Sequence, residues 1–526
     1  MEPRVRWRIW PQTPARPPLA SKNIGMPQGW LHCGSFPLPP DSCCETGDPP
    51  LHEARATLPA ACHGRYAMYI PRIGPPIAAF RKRKLSPAGS ALSTPQALLR
   101  ASAAFLTLSV SEPCFAQQDR AALLAQPSLT GTPGGAKDEL HSIGIAPDFW
   151  VTQFYQGQTE GNASNTWRYG GIIDAFLELD AEKLVSWPGF RVNVQYEHYF
   201  GQNINRRDAA LIPVNTAQAY VSEEGYHSAL SVSFTQDFGE SVSVSAGKIN
   251  MMTLASKTPL LGGGGIDTFM NRAFALPSTG VAYTALPGAP GDRVVLSAPY
   301  LVAAIAAVKT DPVNFAFIIA DPRSAIDPAV VAHPFEKGLA VGGSATLKMK
   351  IAGLSGFHTL RAAYSNARGI DLEDIALVPR PLALSGSAGT KKGFWFTSYA
   401  IQQYLVQSEQ NPQLGWGLFA LAMLTDGNPS PVRWSALAGL GGNNLMPGRE
   451  NDRWGIGFFH FGLTQPLLAT LAEFEVNRRS EGGMEAFYNL AITPSLRLTG
   501  DLQVISPWNP ATPRATYVAL RFQTKF

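Results

Sequence analysis

The sequence predicts an all-β protein whose strands close into a transmembrane antiparallel β-barrel. Three observations lead there. Apolar and charged residues alternate with period two along segments of about ten residues, the length a membrane-crossing strand needs. No uninterrupted apolar run approaches ~18 residues, so no segment reads as a membrane-crossing helix. All five cysteines (Cys33, Cys43, Cys44, Cys62, Cys114) precede residue 117, so the body of the chain has no disulfide framework.

The first 116 of the 526 residues differ in character from the rest. They hold 18 of the 43 prolines and 13 of the 43 basic residues, with no sustained helical or strand period. The basic cluster Arg81-Lys82-Arg83-Lys84, the mostly apolar stretch 101–110 and Cys114-Phe115-Ala116 follow in the order of a secretory signal peptide, with cleavage expected after Ala116. Residues 1–80 read either as a disordered extension or as sequence upstream of the true start, with Met26 or Met68 as that start. The expected organisation is therefore an extension over 1–80, a signal peptide over 81–116, a short N-terminal periplasmic or helical segment over 117–142 and an outer-membrane barrel over 143–526. The net charge of +4 belongs to the front. Residues 117–526 carry 30 basic and 33 acidic residues, 30 − 33 = −3, and no nucleic-acid partner follows.

The strands can be read in order. One is expected around 145–156, followed by a polar outer loop over 158–166. The segment "IIDAFLELDAEKLV" sets Ile173, Ala175, Leu177 and Leu179 against Asp174, Glu178 and Asp180, and Trp187-Pro188-Gly189 signals a tight turn. "FRVNVQYEHYF" alternates Phe190, Val192, Val194 and Tyr196 with Arg191, Asn193, Gln195 and Glu197. The longest apolar candidate, 300–308, reaches only about half a helical span. Stretches rich in Gly and Pro at 262–265, 286–291 and 378–390 read as loops, one or two of which could fold inward. Near the end, Leu496, Leu498, Leu502 and Val504 alternate with Arg497, Thr499, Asp501 and Gln503. The final strand sets Val518, Leu520, Phe522, Thr524 and Phe526 against Arg521, Gln523 and Lys525, and is expected to close against the first strand.

In a soluble sandwich the polar side faces out; in a membrane barrel lipid takes the apolar face and water the charged one. Strand length and aromatic residues near strand ends (Trp187, Tyr199, Phe200, Trp395, Trp454, Phe458, Phe459, Phe461, Trp508) favour the barrel, since interfacial girdles need such rings. About 410 residues accommodate roughly 16 to 18 strands, wide enough for an aqueous channel.

Longer phrases carry a resemblance. "DGNPSPVRWSALAGLGGNNLMPGRENDRWGIGFFH" (426–460) and "GGMEAFYNLAITPSLRLTGDLQVISP" (482–507) resemble the C-terminal half of the carbohydrate-selective porins, the sugar-uptake porins of Gram-negative outer membranes. Segments 177–189 and 129–145 resemble that family's early hairpin and opening. Thr132-Pro133 stands where Asp-Trp is usual, and Gly500 replaces a usual Pro. The resemblance implies a 16-stranded barrel through which monosaccharides, glucose-like sugars above all, diffuse passively.

The candidate pore-lining residues are Arg191, Asn193, Gln195, Glu197, Arg497, Asp501 and Gln503. They carry the planar and hydrogen-bonding groups that replace water on sugar hydroxyls. No nucleophile elbow, metal-binding His pair or phosphate-cradling loop occurs, so no enzyme, cofactor or metal site is expected. The partners expected are mono- or small oligosaccharides, outer-membrane lipid and barrel assembly machinery reading Phe526; a homotrimer and a monomer are both compatible. The alternatives are a general or hydroxy-acid-preferring channel of the same fold, or a soluble exported β-domain binding polysaccharide. An energy-coupled transporter is excluded, because about 25 residues before Ile143 are too few for a plug.

Overall fold

The computed structural model describes residues 126–130, 135–207, 210–219, 226–262, 264–275, 300–323, 333–374 and 389–526. The expected signal peptide, Thr132-Pro133, the loop at 286–291 and most of 378–390 lie outside the described residues.

Sixteen strands follow in order. The first six are β1 (Ile145–Glu160), β2 (Thr166–Asp180), β3 (Phe190–Gly201), β4 (Tyr226–Phe238), β5 (Val242–Asn250) and β6 (Tyr300–Lys309). Then come β7 (Val313–Ala320), β8 (Ala340–Ile351), β9 (Leu354–Ile370), β10 (Thr390–Gln407) and β11 (Gly415–Thr425). The last five are β12 (Val432–Asn443), β13 (Arg453–Leu463), β14 (Glu481–Ala491), β15 (Leu496–Ser506) and β16 (Ala515–Lys525). Each pairs antiparallel with its neighbours in sequence, and β16 pairs with β1 to close the barrel. No strand edge is left open, which is what lets a sheet sit in hydrocarbon.

The apolar positions of the alternation lie outside. On β7, Phe315, Phe317 and Ile319 are exposed; on β16, Leu520 is 53% exposed while Arg521 beside it is fully buried. A water-soluble protein of this size would not leave a continuous belt of Phe, Leu, Tyr and Trp uncovered. Of the aromatics expected at the rims, Trp187, Trp395 and Phe458 are exposed, whereas Tyr199, Phe459 and Phe461 are buried on the inner face. The correction follows from parity: Phe458 and Phe459 are consecutive, so only one of them can face out.

The even strand number brings both ends of the barrel to one rim. There Phe526 N donates to Phe149 O at 2.8 Å, Leu129 N to Lys525 O at 2.9 Å, and the Phe149 and Phe526 rings lie 5.7 Å apart. Helix α1 (Ala136–Ser142) packs here, and Lys137 Nζ reaches Asp148 at 2.5 Å and the Phe526 carbonyl oxygen at 3.2 Å. Connections on this rim are short. Between β8 and β9 two residues suffice, Ala352 and Gly353 with φ of 52° and 84°, the paired positive values of a tight hairpin turn.

One element departs from expectation. The "DAEKLV" end of the second strand turns at Asp180 into helix α2 (Ala181–Val185), because the Asp180 carboxylate accepts the Glu182 amide at 3.0 Å and caps it. Ser186, at φ 57°, ends that turn.

On the opposite rim, Asp426 opens the Asp-Gly-Asn-Pro connection after β11, and no side chain pairs with its carboxyl group. Burial pushes its pKa up to about 6. Because the folded value exceeds the unfolded one of about 4, folding favours the protonated form, and this group's contribution declines as pH rises from about 4 to about 6. Asp426→Asn is therefore expected to gain thermal stability over the wild type across that window, by about 1 kcal/mol after allowance for partial exposure. A melting-temperature difference that does not change between pH 4 and pH 7 would contradict this.

Candidate functional site

Inside the barrel the wall is polar apart from an apolar patch on β11–β14 (Phe419, Leu421, Met423, Leu437, Phe459, Phe487), and much of it is covered by two connections that fold inward. The first follows β3 and runs through 202–207 and 210–219; the second follows β5 and includes helices α3 (Met251–Ala255) and α4 (Arg272–Ala275). They bind each other: Thr216 N donates to Met270 O at 2.9 Å and Arg272 N to Pro213 O at 3.0 Å.

Wall residues hold the second connection through its backbone. The Glu485 carboxylate on β14 accepts the amides of Met270 at 2.5 Å and Asn271 at 3.0 Å. Arg521 on β16 donates to the carbonyls of Gly265 at 3.1 Å and Thr268 at 2.8 Å. Arg453 on β13 pairs with Asp267 at 3.2 Å, and Gln402 Oε1 on β10 accepts the Leu260 amide at 3.0 Å. A buried loop backbone must find such partners, because unpaired amides and carbonyls away from water are costly.

Apolar packing complements these bonds. Phe269 stacks on Phe274 at 4.4 Å and meets Phe487 edge-on at 4.8 Å, while Phe274 meets Phe459 at 5.8 Å. The room comes from Gly455 and Gly457, inner-face residues of β13. A Cβ at Gly457 would come within 2.6 Å of the Phe274 ring, and one at Gly455 within 2.7 Å of Phe269. Glycine here permits the close approach of a second layer.

Every predicted pore-lining residue lies on the inner face. Arg191 Nη2 pairs with Asp237 at 2.7 Å and is part-exposed, and Asn193 faces the lumen at intermediate burial. Gln195 bridges Asp174 at 3.3 Å and Thr253 at 2.8 Å. Glu197 accepts Tyr199 at 3.2 Å, Tyr300 at 2.5 Å and Asn250 at 2.9 Å. Arg497 donates to Asn489 Oδ1 and to Asn451 O, each at 3.1 Å. Asp501 accepts from Gln503, which also donates to Val214 O at 2.9 Å and accepts from Asn271 at 3.1 Å. Glu197, Gln195, Asp501 and Gln503 are thus buried and engaged with the wall or the inward connections, while Arg191, Asn193 and Arg497 keep access to the lumen.

With the β13–β16 wall covered, the inner face of β9–β11 and the second inward connection border a small, partly open recess. Thr258, Leu261, Thr359, Arg361, Gln402 and Phe419 are among its lining residues. Arg361 Nη1 has no hydrogen-bond partner. Sequence reasoning missed Arg361, Gln402 and Phe419. The available signal was "GFHTLRAAYSN", in which one arginine interrupts an otherwise neutral alternating strand.

A closed barrel of sixteen antiparallel strands, apolar outside and narrowed within by an inward connection, defines a porin-type channel. The chain belongs to the carbohydrate-selective porin, OprB family, whose model matches residues 164–526. Among solved structures it is similar to the high-pH structure of Pseudomonas putida OprB, with a TM-score of 0.62 and 19% identity over 76% of this chain and 99% of that one. The low-pH structure of Pseudomonas putida OprB aligns with a TM-score of 0.42 and 16% identity, over 76% of this chain and 99% of that one. No curated protein matches the chain.

Proposed function

We propose that this porin sits in the bacterial outer membrane and lets monosaccharides, glucose-like sugars among them, diffuse passively into the periplasm. The observation that carries the reading is the inward connection held against β13–β16, which narrows the lumen beside hydrogen-bonding groups such as Thr359, Arg361 and Gln402. Such a lining can replace the water on vicinal hydroxyls while holding the sugar weakly enough to release it. Family membership supports the substrate class. The short-turn rim is the periplasmic one on this reading, as in bacterial barrels generally.

Arg191, Asn193 and Arg497, toward the short-turn end of the lumen, are the predicted residues left accessible to sugar. Gln195, Glu197, Asp501 and Gln503 serve by anchoring what narrows the pore. The test is planar-bilayer conductance of the purified protein with D-glucose titrated in. Current is expected to fall at millimolar sugar, a weak affinity consistent with flux, and Arg191→Ala is expected to raise the half-blocking concentration several-fold. Indifference of the current to every sugar tried would remove the proposal.

A further inference from the structure

The distribution of charge around the barrel is uneven. None of the strands from β5 to β13 contains an Asp or Glu, whereas β1–β4 and β14–β15 carry all ten strand carboxylates. Those near the inward connections are spoken for. Glu481 accepts the amides of Leu211 at 2.7 Å and Trp508 at 3.2 Å, and Glu485, Glu197 and Asp501 are bonded as described above. Nearer the short-turn rim, Asp237 is paired with Arg191 and Asp148 with Lys137. Glu178, exposed on the inner face of β2, belongs to the far wall.

Cations on the carboxylate-free wall are disposed differently. On β8 the residues Val341, Leu347, Met349 and Ile351 are exposed apolar groups of the outer face, so Thr346, Lys348 and Lys350 alternate onto the inner one. Thr346 confirms the parity, since its hydroxyl lies 3.0 Å from that of Thr359, a lining residue of the recess. In register, Ser344 stands opposite Arg361, Thr346 opposite Thr359, Lys348 opposite Phe357 and Lys350 opposite Ser355. One vertical lane therefore runs from Arg361 in the recess down to Lys348 and Lys350 at the short-turn rim. Among the described residues none of the three side chains has a carboxylate partner. Among the long-loop carboxylates flanking these strands, Asp371 just after β9 accepts from Asn428 at 2.8 Å, and Asp321 after β7 pairs with Arg323 at 2.7 Å.

We propose that this lane selects anionic hydroxylated solutes, sugar acids with a free carboxylate such as aldonates and uronates, with Arg361 as the residue that receives the carboxylate. A guanidinium offers two parallel donors that match a carboxylate, and a low-dielectric wall with one sign of charge raises the local concentration of the opposite sign. Lys348 and Lys350 continue the field toward the exit, so that an anion leaving Arg361 does not meet a barrier. The proposal deepens the sugar-porin reading and rests on it for the hydroxyl-binding part of the site.

The experiment is a pair of measurements on the purified protein in planar bilayers and in liposomes. Under a potassium chloride gradient the zero-current potential is expected to report a several-fold preference for chloride. In liposomes, gluconate and glucuronate are expected to enter several-fold faster than glucosamine hydrochloride at equal concentration. Arg361→Gln is expected to abolish most of the solute preference. Lys348→Gln with Lys350→Gln, at exposed positions that do not support the fold, is expected to lower the ionic selectivity on its own. Glucose entry without any preference between gluconate and glucosamine would overturn the lane while leaving the sugar porin standing. Chloride selectivity without glucose entry would do the reverse. Unchanged selectivity in the double lysine variant would also overturn the lane.

Discussion

Arg521→Ala is expected to raise single-channel conductance several-fold and to abolish block by sugar, with the barrel itself intact. The side chain is fully buried, and its guanidinium ties the second inward connection to β16 through the Gly265 and Thr268 carbonyls while a further donor reaches Thr499 Oγ1 at 3.1 Å. Thr499 is its register partner, which makes Asp501 its diagonal neighbour on β15. Removing the cation takes a donor from each of two carbonyls and the positive charge from beside the Asp501 carboxylate. Breaking a buried charge network in this way costs about 3–5 kcal/mol. The sixteen ladders close on themselves and do not depend on this residue, so the strain falls on the connection, whose remaining ties include the Glu485, Arg453, Gln402, Gln195 and Gln503 contacts, the bonds to the first connection and the phenylalanine packing. Arg521→Lys keeps the charge and loses the fork, and is expected to fall between the two. Conductance and heat-modifiable migration measured together decide the matter: a folded variant with wild-type conductance and wild-type sugar block would show that the connection does not narrow the pore.

The barrel was legible in the sequence because its information is local. In β3, β15 and β16 a period of two separates faces within a few residues, and lipid imposes that period on every strand. The closure of the last strand, ending at Phe526, onto the first followed from strand parity. Depth inside the lumen was not legible, because period two assigns a face and says nothing about what covers it. Glu197 and Asn193 look equivalent in "FRVNVQYEHYF", yet one is sealed beneath Tyr300 and the other faces water; the difference is made by residues about a hundred positions away. Glu485 is likewise bound to backbone more than two hundred positions earlier. The glycines at 455 and 457 were the trace this packing left in the sequence, since two small residues in succession on an inner face of "RWGIGFFHFGL" mean that something presses there. Helix α2 was misread as strand because Asp180 serves equally as an inward residue and as a cap.

Leu520→Arg is expected to be the most destabilising single change on the outside of the molecule, and its dependence on depth is what identifies the surroundings as lipid. Leu520 sits at the middle of β16, opposite Tyr155 and Gly500, and a Cβ built on Gly500 would meet no atom within 4 Å. No protein group covers this leucine from that side. In a bilayer an arginine there stands near the midplane, where such a substitution costs about 2–4 kcal/mol, whereas at an interface it costs about 0–1 kcal/mol. Thr516 shares the outward parity of Leu520 but lies near the long-loop end of the same strand, hydrogen-bonded to Glu160 at 2.9 Å. Thr516→Arg is therefore expected to be mild. Equilibrium unfolding in phospholipid vesicles gives both values, and thickening the acyl region should widen the gap between them. Equal costs at the two positions would mean that the outer face of β16 does not cross a hydrocarbon layer, and the inward assignment of Arg521, Gln523 and Lys525, which rests on the same parity, would lose its reason.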